Sequence, residues 1–170
     1  MSTQLPVIVV NQADEPIGSA QLHDAWANDQ TLRIVRVMIE DGNGSIILQK
    51  RSPDKEHFPN CWDNSAAGYV DAGESYETAA YRELAEEIGL TNIKLQQVGK
   101  YSTSKPDDPE TILRFITIYK GTTATDAPLK LQASEVSEAR WFRLEEVRKL
   151  LADSSDKVSD GLVEVFERYY

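Results

Sequence analysis

Apolar positions along the chain fall into two periods. Alternating or β-branched runs at residues 6–11, 17–22, 31–40, 45–48, 93–102, 111–119 and 136–142 read as strands, most of them separated by turn formers. The first two, divided by Gln12, Ala13, Asp14, Glu15 and Pro16, read as a two-stranded hairpin. The runs at 31–40 and 45–48 flank Asp41, Gly42, Asn43 and Gly44 and form the clearest hairpin in the chain. Residues 23–29 are expected to form a short helix or turn anchored by Trp26. The Pro-containing stretches 52–61 and 105–109 read as loops, as does the polar stretch 121–130, and residues 62–69 lead into the segment that follows.

A helical period of about 3.6 governs the remainder. Residues 76–88 contain no Pro or Gly and are rich in good helix formers; Ser75 stands at the N-cap and Gly89 where a left-handed residue ends a helix. Leu144, Val147, Leu150 and Leu151 mark a helix over 144–151, residues 153–160 are a Ser- and Asp-rich linker, and 161–170 form a terminal helix with Leu162, Phe166 and Tyr169 inward. Strands interleaved with a few helices predict a mixed α/β fold. With 170 residues and 41% hydrophobic content the chain suits a single domain over 1–170, with 1–30 as an N-terminal hairpin extension and 161–170 as the closing helix.

Steps of about 100° along the 76–88 helix gather Glu83, Glu86 and Glu87 in one arc and set Tyr81, Leu84, Ala85 and Ile88 opposite. Like charges three and four apart repel by a few tenths of a kcal/mol, so the trio gains nothing in stability without a partner. It is either a solvated acidic face or a seat for Mg²⁺ or Mn²⁺, hard cations that take carboxylate oxygens together with substrate phosphates. Arg82 is a helical neighbour of Glu86 and within reach of Glu74.

A formal net charge of −10 argues against a nucleic-acid backbone as partner and repels any phosphorylated ligand, so local cations must reverse the sign at a phosphate site. Lys50 and Arg51, leaving a strand, either meet phosphate or form a solvated strand end. The single cysteine, Cys61, rules out an intrachain disulfide and reads as packing beside Trp62. The N-terminus has no basic leader, and its apolar run at 6–10 is too short to span a bilayer, so a soluble cytoplasmic protein with no membrane partner is expected. Oligomeric state is open, a homodimer included.

Residues 68–90, GYVDAGESYETAAYRELAEEIGL, match G-x5-E-x7-R-E-U-x-E-E-x-G-U, with U a bulky aliphatic, at every fixed position. A chance match in a chain of this length is on the order of one in 10⁷. On these residues the chain resembles the Nudix family. The resemblance implies a Nudix fold, a mixed β-sheet sandwiched between helices. It also implies hydrolysis of a small-molecule diphosphate, a nucleoside diphosphate linked to another group X, with Mg²⁺ or Mn²⁺. By position in the motif, Glu83 and Glu87 are metal ligands and Glu86 a third ligand or holder of metal-bound water. Glu74 and Arg82 support the site, Gly68 permits close backbone approach, and the carbonyls of Ala67 and Gly68 are further ligands. Arg51 is the candidate phosphate contact, with Lys50 beside it.

The stretch 59–74, PNCWDNSAAGYVDAGE, is similar to the Nudix branch that contains type I isopentenyl diphosphate isomerase, and the likeness extends over nearly the whole chain. The isomerase pattern has a catalytic Cys followed by Gly-His-Pro; here Ala67, Gly68, Tyr69 and Val70 hold those places. Ala67 can neither donate nor accept a proton, and Tyr69 replaces a metal-binding histidine. His23 and His57 read as surface residues. Hydrolysis is therefore expected, with an isomerase-like enzyme and a non-catalytic nucleotide-sensing domain as the alternatives. The general base is open among the helix acids, Glu110, Glu135 and Glu138, the last three equally readable as solvated acids. Trp26, Phe58, Trp62 and Tyr101 either stack on a base or pack.

Overall fold

Strand β3 (Leu32–Glu40) is the axis of the sheet in a computed structural model that describes residues 5–153 and 157–170. Along one edge β8 (Ile112–Thr122) runs parallel to β3 over its whole length, from Leu32 opposite Arg114 to Glu40 opposite Thr122. The other edge of β3 is shared in turn by three short partners. These are β1 (Val7–Val10) at Leu32, β6 (Ala66–Tyr69) at residues 34–37, and β4 (Ser45–Arg51) at Glu40. Strand β2 (Pro16–Ala20) pairs with β1, and β7 (Gln96–Ser104) with β8. On its two edges β4 carries β5 (Trp62–Asp63) and β9 (Val136–Arg143).

The hairpin expected at 31–48 is therefore joined only at its tip, where Glu40 faces Ile46. Beyond the tip β3 and β4 splay apart, because β6 claims the edge of one and β5 the edge of the other. Ser65, fully buried between them, restores the missing hydrogen bonds: its Oγ accepts from Ile39 N at 2.8 Å and donates to Ile47 O at 2.6 Å. A buried backbone group left unpaired there would cost as much as a lost hydrogen bond.

Helix α2 (Tyr76–Ile88) covers one face of the sheet over a core that includes Val35, Val37, Ile47, Leu84 and Ile88. Helices α3 (Leu144–Asp153) and α4 (Asp160–Tyr169) cover the other, over Met38, Ile46, Leu48, Phe142 and Leu162. The result is the expected mixed sheet between helices. The N-terminal hairpin and α1 (Leu22–Ala27) enclose a smaller cluster of Val7, Val9, Ala25 and Leu32. The linker read at 153–160 lies partly outside the described residues. Among the described residues no helix is long and apolar enough to cross a membrane.

Helix α2 starts where Ser75 Oγ accepts from Thr78 N at 3.1 Å and stops at Gly89, whose φ of 73° a side chain would strain. Its buried stripe is Ala79, Ala80, Leu84, Glu87 and Ile88, which differs from the wheel reading. Tyr81 lies to one side, 37% exposed, with its hydroxyl accepting from Leu95 N. Glu87 turns inward because the helix crosses the sheet at the gap between β3 and β4, where polar groups await it.

Candidate active site

Arg82 ties the loop preceding α2 to the helix. Its Nε and Nη2 donate to the two carboxylate oxygens of Glu74 at 2.8 and 2.9 Å, and Nη2 also donates to Tyr69 O at 3.0 Å. Nη1 turns the other way, to Glu83 Oε1 at 2.7 Å and Glu86 Oε2 at 3.3 Å. Glu74 Oε2 accepts in addition from Asp71 N at 3.1 Å, so the turn between β6 and α2 is held at both ends. Arg82 holds the Glu74 carboxyl below its usual range, and Glu74 in turn raises the basicity of Arg82, which stays charged.

Glu83 lies against the backbone of β6. A Cβ added to Gly68 would stand 2.0 Å from Glu83 Oε1, so glycine is required for the approach. One turn on, Glu87 is 5% exposed and accepts twice on the same oxygen, Oε2: from Gln49 Nε2 at 2.7 Å and from Ala67 N at 3.0 Å. Both acids are affected by burial. It pushes Glu83 up to about 7 against the pull of Arg82, and it lifts Glu87 well above the carboxylate range with the charge of Glu83 adding to it. Glu86 stands apart, its side chain 54% exposed.

The ladder phase decides which carbonyls face this site. Val70 N donates to Arg33 O at 3.0 Å, which makes Val35 and Gly68 a hydrogen-bonded pair and turns the polar groups of Ala67 and Tyr69 away from β3. The carbonyl of Gly68 is thus committed to the sheet, whereas that of Ala67 faces the gap. Of the two carbonyls expected as ligands, only that of Ala67 is presented.

Arg51 is on the site side of β4, its Nη1 3.3 Å from Asp63 Oδ2 and its Nε donating to His57 O at 3.1 Å. Asp63, whose charge also acts on Glu87, accepts on Oδ1 from Ser159 Oγ at 2.6 Å, and Trp62 O accepts from Ser159 N at 2.9 Å. Lys50 does not join this group. Strand alternation turns it to the opposite face, where its Nζ lies 5.8 Å from the Trp62 ring. Glu138 faces Lys50 across the ladder and Glu135 pairs with Lys55, while Glu110 is in an exposed turn. None of the three is brought to the helix acids. Gln49, Asp63, Ser65 and Asp71 were not singled out from sequence. A signal for Gln49 existed: a polar residue in phase with Ile47 at the end of an apolar run.

Among the described residues, no three Asp, Glu, His or Cys side chains already surround one point as a preformed metal cage. The Arg82 guanidinium occupies the position between Glu83 and Glu86. The donor chemistry nevertheless fits a hard divalent cation: the acids supply oxygen only, and Gln49 Oε1 is buried with no hydrogen-bond partner. A cation would also offset the burial that raises both acids and favour their ionised forms.

The NUDIX domain family model matches residues 30–162. A Nudix hydrolase of Pseudomonas aeruginosa is 34% identical over 145 residues, covering 83% of this chain and 82% of its own length. An isopentenyl-diphosphate Delta-isomerase of Nocardia farcinica is 30% identical over 164 residues, 96% of this chain and 93% of its own. A solved structure from Deinococcus radiodurans superposes with a TM-score of 0.80 at 25% identity, covering 97% of this chain and 99% of that one. Relatives of both kinds agree with the branch that residues 59–74 resemble. With the family model spanning most of its length around an intact motif, the chain belongs to the Nudix family and is a Nudix hydrolase.

Proposed function

We propose that the chain hydrolyses the diphosphate bond of a nucleoside diphosphate linked to another group X, with Mg²⁺ or Mn²⁺ held by Glu83, Glu86 and Glu87. One observation carries this: Gln49 and Ala67 both donate to Oε2 of the buried Glu87, which leaves its Oε1 to a ligand. When bound, the cation polarises phosphoryl oxygens and lowers the pKa of water. Glu83, Glu86 and Glu87 would supply carboxylate oxygens to it, and Ala67 a backbone carbonyl. Arg82 keeps Glu83 in place through Glu74 and Tyr69 O, and its Nη1 spaces Glu83 from Glu86. Glu86, the exposed acid of the three, would also accept a hydrogen bond from the attacking water and orient it. Arg51, neutralised by Asp63 at rest, turns a guanidinium edge to the phosphate.

Isomerisation is disfavoured by the same geometry. On β6 the position of the isomerase cysteine is filled by the methyl group of Ala67, and Cys61 is buried outside that strand. The deciding experiment is a phosphate-release screen over diphosphate compounds with Mg²⁺ and Mn²⁺, using Glu87→Gln as control. Turnover of a nucleoside diphosphate derivative is expected, reduced by roughly a thousandfold or more in Glu87→Gln. Full activity in that variant, or conversion of isopentenyl diphosphate to its isomer alone, would refute the reading. No turnover of any compound would favour a nucleotide sensor.

A further inference from the structure

Asp63 is fixed from the far end of the chain. The segment leading into α4 runs along the outer edge of β5, where Val158 bridges to Trp62 in parallel and Ser159 N donates to Trp62 O at 2.9 Å. Ser159 is 3% exposed, and its hydroxyl has two duties. Its Oγ accepts from Leu162 N at 3.1 Å, which caps α4, and donates its one proton to Asp63 Oδ1 at 2.6 Å.

The two oxygens of Asp63 are treated unequally. Oδ1 takes the Ser159 hydroxyl, Asn64 N at 2.8 Å and Asn64 Nδ2 at 2.9 Å, all neutral donors on one atom. Oδ2 is left to Arg51, whose Nη1 lies 3.3 Å away, farther than the roughly 2.7–2.9 Å of a well-formed charge-assisted bond. Asp63 is opposite Gln49 in the β4–β5 ladder and Arg51 follows Gln49 by two positions, so the three side chains share one face. The guanidinium is thus held at Nη1 by Asp63 and at Nε by His57 O at 3.1 Å, while among the described residues Nη2 has no partner. Held in this way it keeps an edge for an anion. A bidentate pair with both oxygens of Asp63 would consume that edge.

We propose that Ser159 is a positioning residue for the phosphate contact. By holding Asp63 Oδ1 it presents only Oδ2 to Arg51 and prevents the two-bond pairing that would withdraw the guanidinium from the substrate. The proposal rests on the reading of Arg51 as the phosphate contact, and it extends the working parts of the site to the first turn of the C-terminal helix.

The test is a calorimetric titration with methylenediphosphonate, a diphosphate analogue whose P–C–P bridge is not hydrolysed, in the presence of Mg²⁺. Ser159→Ala and Ser159→Gly are both expected to weaken its binding by about tenfold, within the range of couplings found inside one hydrogen-bond network. Glycine is tolerated at an N-cap where alanine is not, so a residue that only capped α4 would be harmed by Ala and spared by Gly. If Ser159→Ala does not fold, Ser159→Gly carries the comparison by itself. In an Arg51→Ala background either substitution should add less than about twofold, because the group through which Ser159 acts is gone. Wild-type affinity in Ser159→Gly overturns the proposal, and so does an equal loss with and without Arg51. The phosphate reading fails separately: Arg51→Ala binding the analogue as tightly as wild type removes the contact, and the role of Ser159 with it.

Discussion

The Glu83 carboxylate lies against the backbone of Gly68, with only 2.0 Å between the position of a Cβ on residue 68 and Glu83 Oε1. Gly68→Ala must therefore displace the carboxylate or shift β6 away from α2. Overpacking of this kind costs about 1–3 kcal/mol. A misplacement of about 1 Å at a reacting centre costs on the order of a hundredfold in rate. Urea unfolding and steady-state kinetics on the same protein check both; wild-type turnover in Gly68→Ala would show that Glu83 is not used where it lies.

Arg82 makes contacts that lysine cannot reproduce. An ammonium cannot hold both oxygens of Glu74 while reaching Tyr69 O and Glu83. Arg82→Lys is expected to lower stability by about 1–3 kcal/mol, with the lower end favoured because the side chain is 23% exposed and partly screened. Equal denaturation midpoints for the two proteins would mean that the network is slack in solution.

Gln49 positions the carboxylate of Glu87, the proposed metal ligand. Gln49→Leu keeps the volume and deletes the donor to Glu87 Oε2. Loss of a partner that orients a metal ligand typically weakens metal affinity by about 10–100-fold. A Mg²⁺ titration followed by calorimetry measures this without turnover, and an unchanged binding constant would assign Glu87 its position without help from Gln49.

Asp14, at the tip of the N-terminal hairpin, carries a pH dependence of known sign. Burial acts to raise its pKa, but Lys100, Arg33 and Tyr76 outweigh burial and hold it below its ordinary value. Arg33 Nε lies 2.7 Å from Asp14 Oδ1, and the Tyr76 hydroxyl donates to the same carboxylate at 3.0–3.1 Å. A carboxylate depressed in the folded state stabilises it above its unfolded pKa of about 3.9, and that contribution is lost as pH falls through the lower folded value. The stability difference between wild type and Asp14→Asn should thus be level from about pH 7 to 5 and shrink below about pH 4. Denaturation curves at three pH values suffice; a difference that grows in acid would reverse the assignment.

The sequence reading succeeded where information is local. Ser75, the Gly-free run to Ile88 and Gly89 define α2 with no help from the rest of the chain. The reach of Arg82 back to Glu74 follows from spacing alone. It fell short where partners are distant. The gap between β3 and β4 exists because β5 and β6 intervene, and no property of residues 31–48 announces that. For the same reason the wheel could not tell that Glu87 is buried: its environment is Gln49 and Ala67, from two other strands. Lys50 and Arg51 looked equivalent as neighbours; alternation puts them on opposite faces, and the ladder with β5 and β9 decides which of the two faces the site.

Ser159 reaches Asp63 across 96 positions of chain. During synthesis the motif leaves the ribosome well before Ser159, so a nascent chain carries the complete signature while Asp63 of β5 still lacks that partner. Removing α4 together with Ser159 would return the mature protein to that state, with every motif residue present and the brace on Asp63 gone.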